Sequence, residues 1–265
     1  MTQTHPITLT IAGSDSGGGA GIQADLKTFA AFRCFGTSVV TAITAQNTLG
    51  VSAVHAVPLE VVEAQLAAVF ADLPPRATKT GMLATAPLVR TVAAALRDAG
   101  AENYVCDPVM VATSGDRLLD EEAEHTLTTV LLPLSALVTP NLHEARILTG
   151  SDEVGTLEGM RNAARALVDR GAGAALVKGG HLEGDAVDLF WDGNQERVWR
   201  KPRLDTAHTH GTGCTLSAAV AACLAQDMPL VDAAEKAVHW VWRAIETAPG
   251  LGRGHGPVNH FAPTS

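Results

Sequence analysis

The chain has 265 residues, 46% of them hydrophobic, and its 28 Asp and Glu residues against 19 Lys and Arg residues give a formal net charge of −9. This size is sufficient for one large α/β domain with a full core, and we expect residues 1–265 to form a single domain. The acidic balance, without a compensating basic block, argues against nucleic acid or a membrane surface as a partner and favours a small molecule. The sequence has no run of about 18 apolar residues, no signal-peptide pattern and no cysteine spacing typical of zinc, so we expect a cytoplasmic protein with reduced thiols.

The chain begins as a strand, a glycine-rich loop and a helix. A β-branched run at Ile7–Ile11 predicts the strand, Ser14–Gly21 is the loop, and helical spacing begins near Ile22. The loop matches neither the dinucleotide fingerprint nor the P-loop. The next elements are predicted in the order strand, edge strand and helix: Gly36–Ala45, Val51–Val57 and Leu59–Leu73.

From Ala77 onward, strands and helices alternate. A strand with its exit loop is predicted at Ala77–Met82, and further strands at Asn103–Val109, Ala136–Thr139 and Ala174–Lys178. Helices are predicted at Ala86–Ala99, Glu121–Leu132, Asn141–Leu148 and Leu157–Arg170. A hairpin at residues 185–201 follows, then a helix after the cysteine-containing turn and a last helix at Leu230–Ala248. Such alternation predicts a mostly parallel sheet with helices on both faces.

The most informative turn is His208-Thr209-His210-Gly211-Thr212-Gly213-Cys214-Thr215, which leads into a small apolar helix. A Gly-x-Gly turn at a helix N-terminus directs unpaired N–H groups and the positive end of the helix dipole toward one point, which is suited to phosphate. The same dipole is expected to lower the pKa of the Cys214 thiol. The alternative is an ordinary tight connection with an inert cysteine.

Polar residues follow several predicted strands at the carboxyl edge of the sheet, where ligands bind in open α/β folds. They are Asp107, Asn141, Glu144 and Lys178. Lys178 is suited to neutralise phosphate oxygens, and Asp107 and Glu144 to hold Mg²⁺, partly through water. Asn141 is expected to face the same opening, and Cys214 to act as a base or to position a hydroxyl. Each residue also has an ordinary explanation as a strand-end, turn or helix-terminus group, and the ten histidines are interpreted as structural or exposed.

Eight motifs, in order and distributed along essentially the whole chain, resemble those of the bacterial hydroxymethylpyrimidine/phosphomethylpyrimidine kinases of thiamine biosynthesis, a branch of the ribokinase-like superfamily. The motifs are Ala12–Thr28, Thr44–Thr48, Lys79–Leu83, Asp107–Met110, Thr139–Ala145, Val177–His181, His210–Thr215 and Gly254–His260. The resemblance implies a three-layer α/β/α ribokinase-like fold, a homodimer and two successive ATP-dependent phosphorylations.

The resemblance also assigns roles to individual residues. Gln46 matches the family's pyrimidine-binding glutamine, and four further residues are expected to line that pocket: Gly13, Asp25, Met82 and Val109. The catalytic group would comprise Gly211, Thr212, Gly213, Cys214 and Lys178, and nucleotide binding would involve Lys178, Asn141 and Thr209. Cys214 stands where many superfamily members have an aspartate base, and a cysteine there is typical of this branch.

Three other functions remain open. A pyridoxal or pyridoxine kinase shares the fold and also phosphorylates a hydroxymethyl group, and dual activity is compatible with the motifs. A Gly-Asp-Ser-type hydrolase would use Ser16 with Asp205 and His208, but it would leave the phosphate-binding turn without a role. A non-catalytic pyrimidine or nucleotide sensor is the third. The glycine-rich segments Ser14–Gly21 and Gly250–Gly256 are candidate lids.

Overall fold

The computed structural model describes residues 5–110, 119–180 and 184–264. Its strands are β1 (Ile7–Asp15), β2 (Phe35–Asn47), β3 (Gly50–Ala56), β4 (Ala77–Thr80), β5 (Tyr104–Cys106), β6 (Leu137–Val138), β7 (Ala175–Lys178), β8 (Ala186–Trp191) and β9 (Glu196–Lys201). Its α-helices are α1 (Gly21–Ala31), α2 (Leu59–Asp72), α3 (Ala86–Asp98), α4 (Glu121–Thr126), α5 (Leu142–Thr149), α6 (Leu157–Asp169), α7 (Thr212–Leu224) and α8 (Leu230–Glu246).

In the described residues the strands form one sheet in the order β3-β2-β1-β4-β5-β6-β7-β8-β9. The six strands from β2 to β7 along this order are parallel to one another. Antiparallel strands extend the sheet at both ends, β3 beside β2 and the β8–β9 hairpin beside β7. Because the central strands are parallel, their carboxyl ends all lie at one edge of the sheet.

Helices cover both faces of the sheet, as the alternation in the sequence predicted. Strand residues alternate between the two cores: Tyr104 and Cys106 belong to the core under α2–α6, while Val105 belongs to the core under α1, α7 and α8. This alternation follows from the two-residue period of a β-strand, and burial of both faces explains the nearly continuous apolar strands. The predicted three-layer α/β fold is confirmed. No helix in the described part of the chain is long and apolar enough to cross a membrane.

Three predicted boundaries differ from the structure. The strand expected to end at Ile11 continues to Asp15, so Gly13 lies within β1. The helix expected at Glu121–Leu132 is regular only to Thr126 and continues as π-helical and then 3₁₀ turns up to Leu134, where Pro133 prevents regular α-helical hydrogen bonding. Helix α7 already begins at Thr212, which places Cys214 in its first turn.

Candidate active site

The polar residues predicted from the strand ends converge at the carboxyl edge of the sheet. Asp107 follows β5, Glu144 lies in the first turn of α5 after β6, and Lys178 is the last residue of β7. The Lys178 Nζ atom lies 3.3 Å from Asp107 Oδ1 and 3.9 Å from Glu144 Oε2. The three side chains therefore lie together, and their role in one binding site stays a prediction.

This cluster carries two carboxylates for one ammonium group. Burial raises the pKa of Glu144 to about 7, an effect that the nearby Lys178 charge only partly opposes. Burial lowers the pKa of Lys178, but Asp107 and Glu144 outweigh this effect and the net pKa lies above its usual value. Asp107 is only 1% exposed and accepts hydrogen bonds from Thr139 at 3.3 Å and Ser217 at 3.1 Å. The excess negative charge suits a cation.

The two carboxylates fit Mg²⁺ as far as their chemistry goes, because Mg²⁺ takes hard oxygen ligands and commonly uses one or two carboxylates with water and phosphate oxygens. Within the described residues no group of three or more acidic, histidine or cysteine side chains could enclose a metal ion by itself. Asp107 and Glu144 would therefore hold the ion together with groups that the protein does not supply.

Asn141 is the N-cap of α5, and its side chain is already engaged. Its Oδ1 atom accepts from the Glu144 N–H at 2.9 Å, and Glu144 Oε2 accepts from the Asn141 N–H at 2.8 Å, which forms a complete capping box. This box orients the Glu144 carboxylate. The backbone of Asn141 also forms an isolated β-bridge with Lys178, so the two residues are neighbours. Its contact with a nucleotide stays a prediction.

The glycine turn at the start of α7 has the geometry of an anion site. Gly211 has a φ of +77° and is the N-cap, and no side chain caps this helix end. The N–H groups of Gly213 and Cys214 lie in the first turn, where a helix offers no internal acceptor. A Cβ added to Gly213 would lie 3.1 Å from Lys178 Nζ, so the turn faces the lysine. Thr209 is exposed, and its carbonyl accepts from the Thr212 hydroxyl at 2.7 Å.

The expected lowering of the Cys214 pKa is wrong. Burial raises the pKa of this thiol to about 11, and the Lys79 ammonium and a hydrogen bond from the Gly21 N–H only partly offset this effect. The helix dipole acts through partial charges, whereas desolvation acts on the whole thiolate charge, so desolvation dominates. The residue is nevertheless partly exposed, as contact with a substrate would require.

The residues assigned to an acceptor pocket lie at the ends of neighbouring strands. Gln46 lies near the end of β2, and its Nε2 atom is 3.4 Å from His210 Nε2. A Cβ on Gly13 would lie 2.7 Å from Met82 Cε, so these two residues are adjacent. Val109 is partly exposed two residues after Asp107. Their contact with a pyrimidine stays a prediction.

Asp25 differs from the other pocket residues because its side chain is 0% exposed. Both of its oxygens contact Lys79 Nζ, at 3.0 and 2.9 Å, and Oδ2 also accepts from Thr10 at 2.6 Å. The carboxylate is thus enclosed by protein and has no surface available to a ligand in this structure. Lys79 is the first residue of the Lys79–Leu83 motif, but it was not predicted to be a site residue from the sequence.

Sequence reasoning also missed His210, having interpreted the histidines as structural or exposed. Its Nε2 atom lies 2.9 Å from Asp15 Oδ2, and the same carboxylate accepts from the N–H groups of Gly17, Gly19 and Ala20. Burial raises the Asp15 pKa, but the bonds from His210 and the loop amides outweigh it and hold the pKa below 3.8. This pair joins the first glycine-rich loop to the glycine turn at the start of α7. An Asp within a glycine-rich loop was the available signal, because Asp commonly accepts from amides a few residues on.

The structure does not assemble the hydrolase alternative. The Ser16 hydroxyl donates to the Gln46 carbonyl at 2.9 Å and accepts from the Gln46 N–H at 2.8 Å. The acid beside a histidine is Asp15 with His210, whereas His208 Nδ1 is buried without a hydrogen-bond partner in the described structure. Ser16 is therefore a loop-stabilising residue.

The order of the strands separates the site into two halves. The residues assigned to the acceptor pocket lie at or just after the ends of β2, β1, β4 and β5, and the carboxylate and lysine cluster lies at or just after the ends of β5, β6 and β7. Helix α7 packs against β1, β4 and β5, so its N-terminus lies between these halves. An anionic group held there could pass from one half to the other, which is the arrangement that group transfer requires.

Comparisons with known proteins agree with this geometry. The phosphomethylpyrimidine kinase family profile matches residues 15–259. The hydroxymethylpyrimidine/phosphomethylpyrimidine kinase of Rhizobium meliloti (strain 1021) is 52% identical over 258 residues, covering 96% of this chain and 97% of that protein. A crystal structure of phosphomethylpyrimidine kinase from Clostridium difficile 630 has a TM-score of 0.82 and 40% identity, covering 91% and 99% of the two chains.

A second structural relative is the Bacillus subtilis pyridoxal kinase in an ADP complex, with a TM-score of 0.92, 38% identity and coverage of 98% of both chains. These similarities extend over 91–98% of the chain. The chain therefore belongs to the phosphomethylpyrimidine kinase family.

Proposed function

We propose that this protein uses ATP to phosphorylate 4-amino-5-hydroxymethyl-2-methylpyrimidine to its monophosphate and then to its diphosphate, in thiamine biosynthesis. The observation that carries the proposal is the phosphate-binding turn at the start of α7, located between the acceptor-side residues and the cluster around Lys178. The names of the Rhizobium meliloti and Clostridium difficile relatives support the substrate, and ADP in the Bacillus subtilis relative supports the nucleotide.

The nucleotide half of the site neutralises charge. Lys178 would contact phosphate oxygens of ATP, and Asp107 and Glu144 would hold Mg²⁺ together with those oxygens and water. When bound, the metal ion would neutralise phosphate charge. Asn141 orients Glu144 through the capping box and, with Thr209, would contact the nucleotide.

The phosphate-binding turn acts on the group in transfer. The N–H groups of Gly213 and Cys214 would donate to oxygens of the transferred phosphoryl group, where negative charge accumulates, and Gly211 and Thr212 shape the turn that presents them: Gly211 through its positive φ and Thr212 through its bonds to the Thr209 carbonyl. Cys214 follows in the same helical turn, and its thiol would contact the acceptor oxygen. Two functions are open to that thiol: it takes the hydroxyl proton or it fixes the position of the oxygen.

The acceptor half orients the pyrimidine. The Gln46 amide would hydrogen-bond the ring, and Gly13, Met82 and Val109 would pack against it, with Asp25 behind them. A hydroxymethyl group and its phosphate ester could then present an oxygen to the same turn, which would allow two consecutive transfers at one site.

A pyridoxal kinase is the second candidate, because the Bacillus subtilis relative with a TM-score of 0.92 carries that name. The two substrates differ in ring hydrogen bonding while both bear a hydroxymethyl group. Parallel measurements of kcat/KM on the pyrimidine alcohol and on pyridoxal separate the candidates, and comparable values would indicate dual specificity.

We further propose that the protein is a cytoplasmic homodimer. Cys34, Cys106, Cys214 and Cys223 are all free thiols in the structure, which suits a reducing compartment. The β2–β3 edge exposes large apolar side chains, among them Leu49 at 66%, Ile43 at 55% and Val54 at 53%. A second copy could cover this edge, which would otherwise be open to unspecific pairing. A Val54→Lys variant should shift the sedimentation coefficient toward that of a monomer.

The experiment that tests the function is phosphorus NMR of the purified protein with Mg·ATP and the pyrimidine alcohol, followed over time. We expect a monophosphate signal that is then converted to a diphosphate signal. A monophosphate that accumulates without further conversion would contradict the second step, and no ATP consumption with either alcohol would contradict the proposal as a whole.

A further inference from the structure

A lysine and an aspartate are completely buried behind the site, although burial of charge is costly. Both side chains of the Lys79–Asp25 pair are 0% exposed, with 2.9 Å between Nζ and Oδ2. Stability is a poor reason for such a pair, because replacing a buried ion pair with apolar residues of similar volume is often neutral or stabilising. A charge pair kept beside a reactive centre is better explained by its electric field.

The fold places this pair between β1, β4 and the two helices α1 and α7. Lys79 lies on β4 in register with Thr10 of β1, and Asp25 lies on α1. Helices α1 and α7 pack against each other and α7 packs on β1 and β4, so the pair is enclosed by four elements. A Cβ added to Gly81 would lie 3.1 Å from Lys79 Nζ, which shows that the ammonium reaches toward the carboxyl end of β4, where the site lies.

The charges that act on Cys214 come from several elements. Lys79 on β4 favours its thiolate, while Asp25 on α1 and Asp107 after β5 oppose it. Lys178 on β7 also interacts with the thiol. Lys79 and Asp25 act on the thiol with opposite sign, so Asp25 attenuates the effect of the lysine.

We propose that Lys79 is a positioning residue for Cys214: it holds a water-excluded positive charge where β4 packs against α7, and Asp25 is the counter-ion that attenuates it. This charge favours an anion at the sulfur and at the acceptor oxygen beside it. The inference rests on the proposed function only for the use of this field in phosphoryl transfer.

Two single substitutions should move the thiol in opposite directions. Lys79→Met removes the positive charge and should slow alkylation of Cys214 by iodoacetamide, roughly tenfold for each unit by which the thiol pKa rises. Asp25→Asn keeps the lysine, removes its counter-ion and should accelerate alkylation. A purely structural role predicts acceleration in both variants, because loosened packing exposes the thiol.

The alkylation rate is measured without substrate as a function of pH, and a Cys214→Ser variant supplies the background from the other three cysteines. Thr10→Val, which touches the same carboxylate without removing a formal charge, is the matched control and should change the rate much less. The paired variant Lys79→Met with Asp25→Leu leaves no unpaired buried charge. It should fold as stably as the original protein and still show slow alkylation, so it replaces Lys79→Met if that variant does not fold.

The inference would be overturned if Lys79→Met and Asp25→Asn changed the alkylation rate of Cys214 in the same direction. It would also be overturned if the paired variant were alkylated at the rate of the original protein. Kinase assays on the same variants keep the two proposals apart. In Lys79→Met, kcat of the first phosphorylation should fall by a larger factor than that by which KM rises. Opposed alkylation rates in a protein without kinase activity would refute the proposed function and leave the field of Lys79 in place.

Discussion

Replacement of Cys214 tests the chemistry of the site most directly. Burial raises the pKa of this thiol to about 11, so at about pH 7.5 roughly one molecule in 3,000 carries a thiolate, a cost of about 5 kcal/mol. If the free thiolate is the base, kcat/KM for the alcohol should rise about tenfold per pH unit between about pH 7 and 9.5. The second step needs no base, since the attacking phosphate oxygen is already ionised above its pKa near 6.

We therefore expect Cys214→Ala to slow the first phosphorylation by about 10²- to 10⁴-fold and the second far less. Cys214→Ser is the matched control, because its hydroxyl can still position the acceptor oxygen but has too high a pKa to act as a base. The assay follows each step separately by coupled ADP release, starting from the alcohol or from the monophosphate. Equal losses in both steps, or a fully active serine variant without the pH slope, would refute the base role and leave Cys214 as a positioning group.

Three further predictions concern the supporting structure. Gly211→Ala should lower the free energy of unfolding by about 2–5 kcal/mol, because Gly211 has a positive φ and an added Cβ would lie 1.8 Å from the Gly19 carbonyl oxygen. Gly213 needs no positive φ, so Gly213→Ala should keep its stability in denaturant titrations yet lose activity. Equal stabilities of the two variants would contradict this reasoning. The pKa of Glu144 is raised from 4.5 to about 7, so between these pH values the folded state binds more protons than the unfolded state. The free energy of unfolding should therefore fall by about 3 kcal/mol as the pH rises through this interval. Thermal unfolding scans at several pH values should show that Glu144→Gln removes this pH dependence. The pKa of Asp15 is lowered, so its ionised form stabilises the protein above about pH 4, and this contribution disappears as the pH falls through the folded-state pKa. Asp15→Asn should lower the free energy of unfolding by about 1.5–3 kcal/mol at neutral pH and by little in acid. A decrease that does not depend on pH would contradict the role of the Asp15 charge.

Much of the fold followed from local patterns in the chain. The alternation of apolar strands with amphipathic helices predicted the parallel sheet and its two covered faces, and the hairpin around Gly193 was located to within a residue or two. The convergence of Asp107, Glu144 and Lys178 was also predictable, because parallel strands bring their carboxyl ends to the same edge. These features depend on periodicity and on strand direction, both of which are local properties of the sequence.

Tertiary structure alone decided the electrostatics. The sequence placed Cys214 at a helix N-terminus, which by itself predicts a lowered pKa, but the packing of α1 and α7 over β1 and β4 removes water from the thiol and reverses the sign. The same packing pairs Lys79 with Asp25, 54 positions apart, and the closure of the first loop pairs Asp15 with His210, 195 positions apart. Burial and long-range pairing depend on which elements pack together, so no local pattern in the chain contains them.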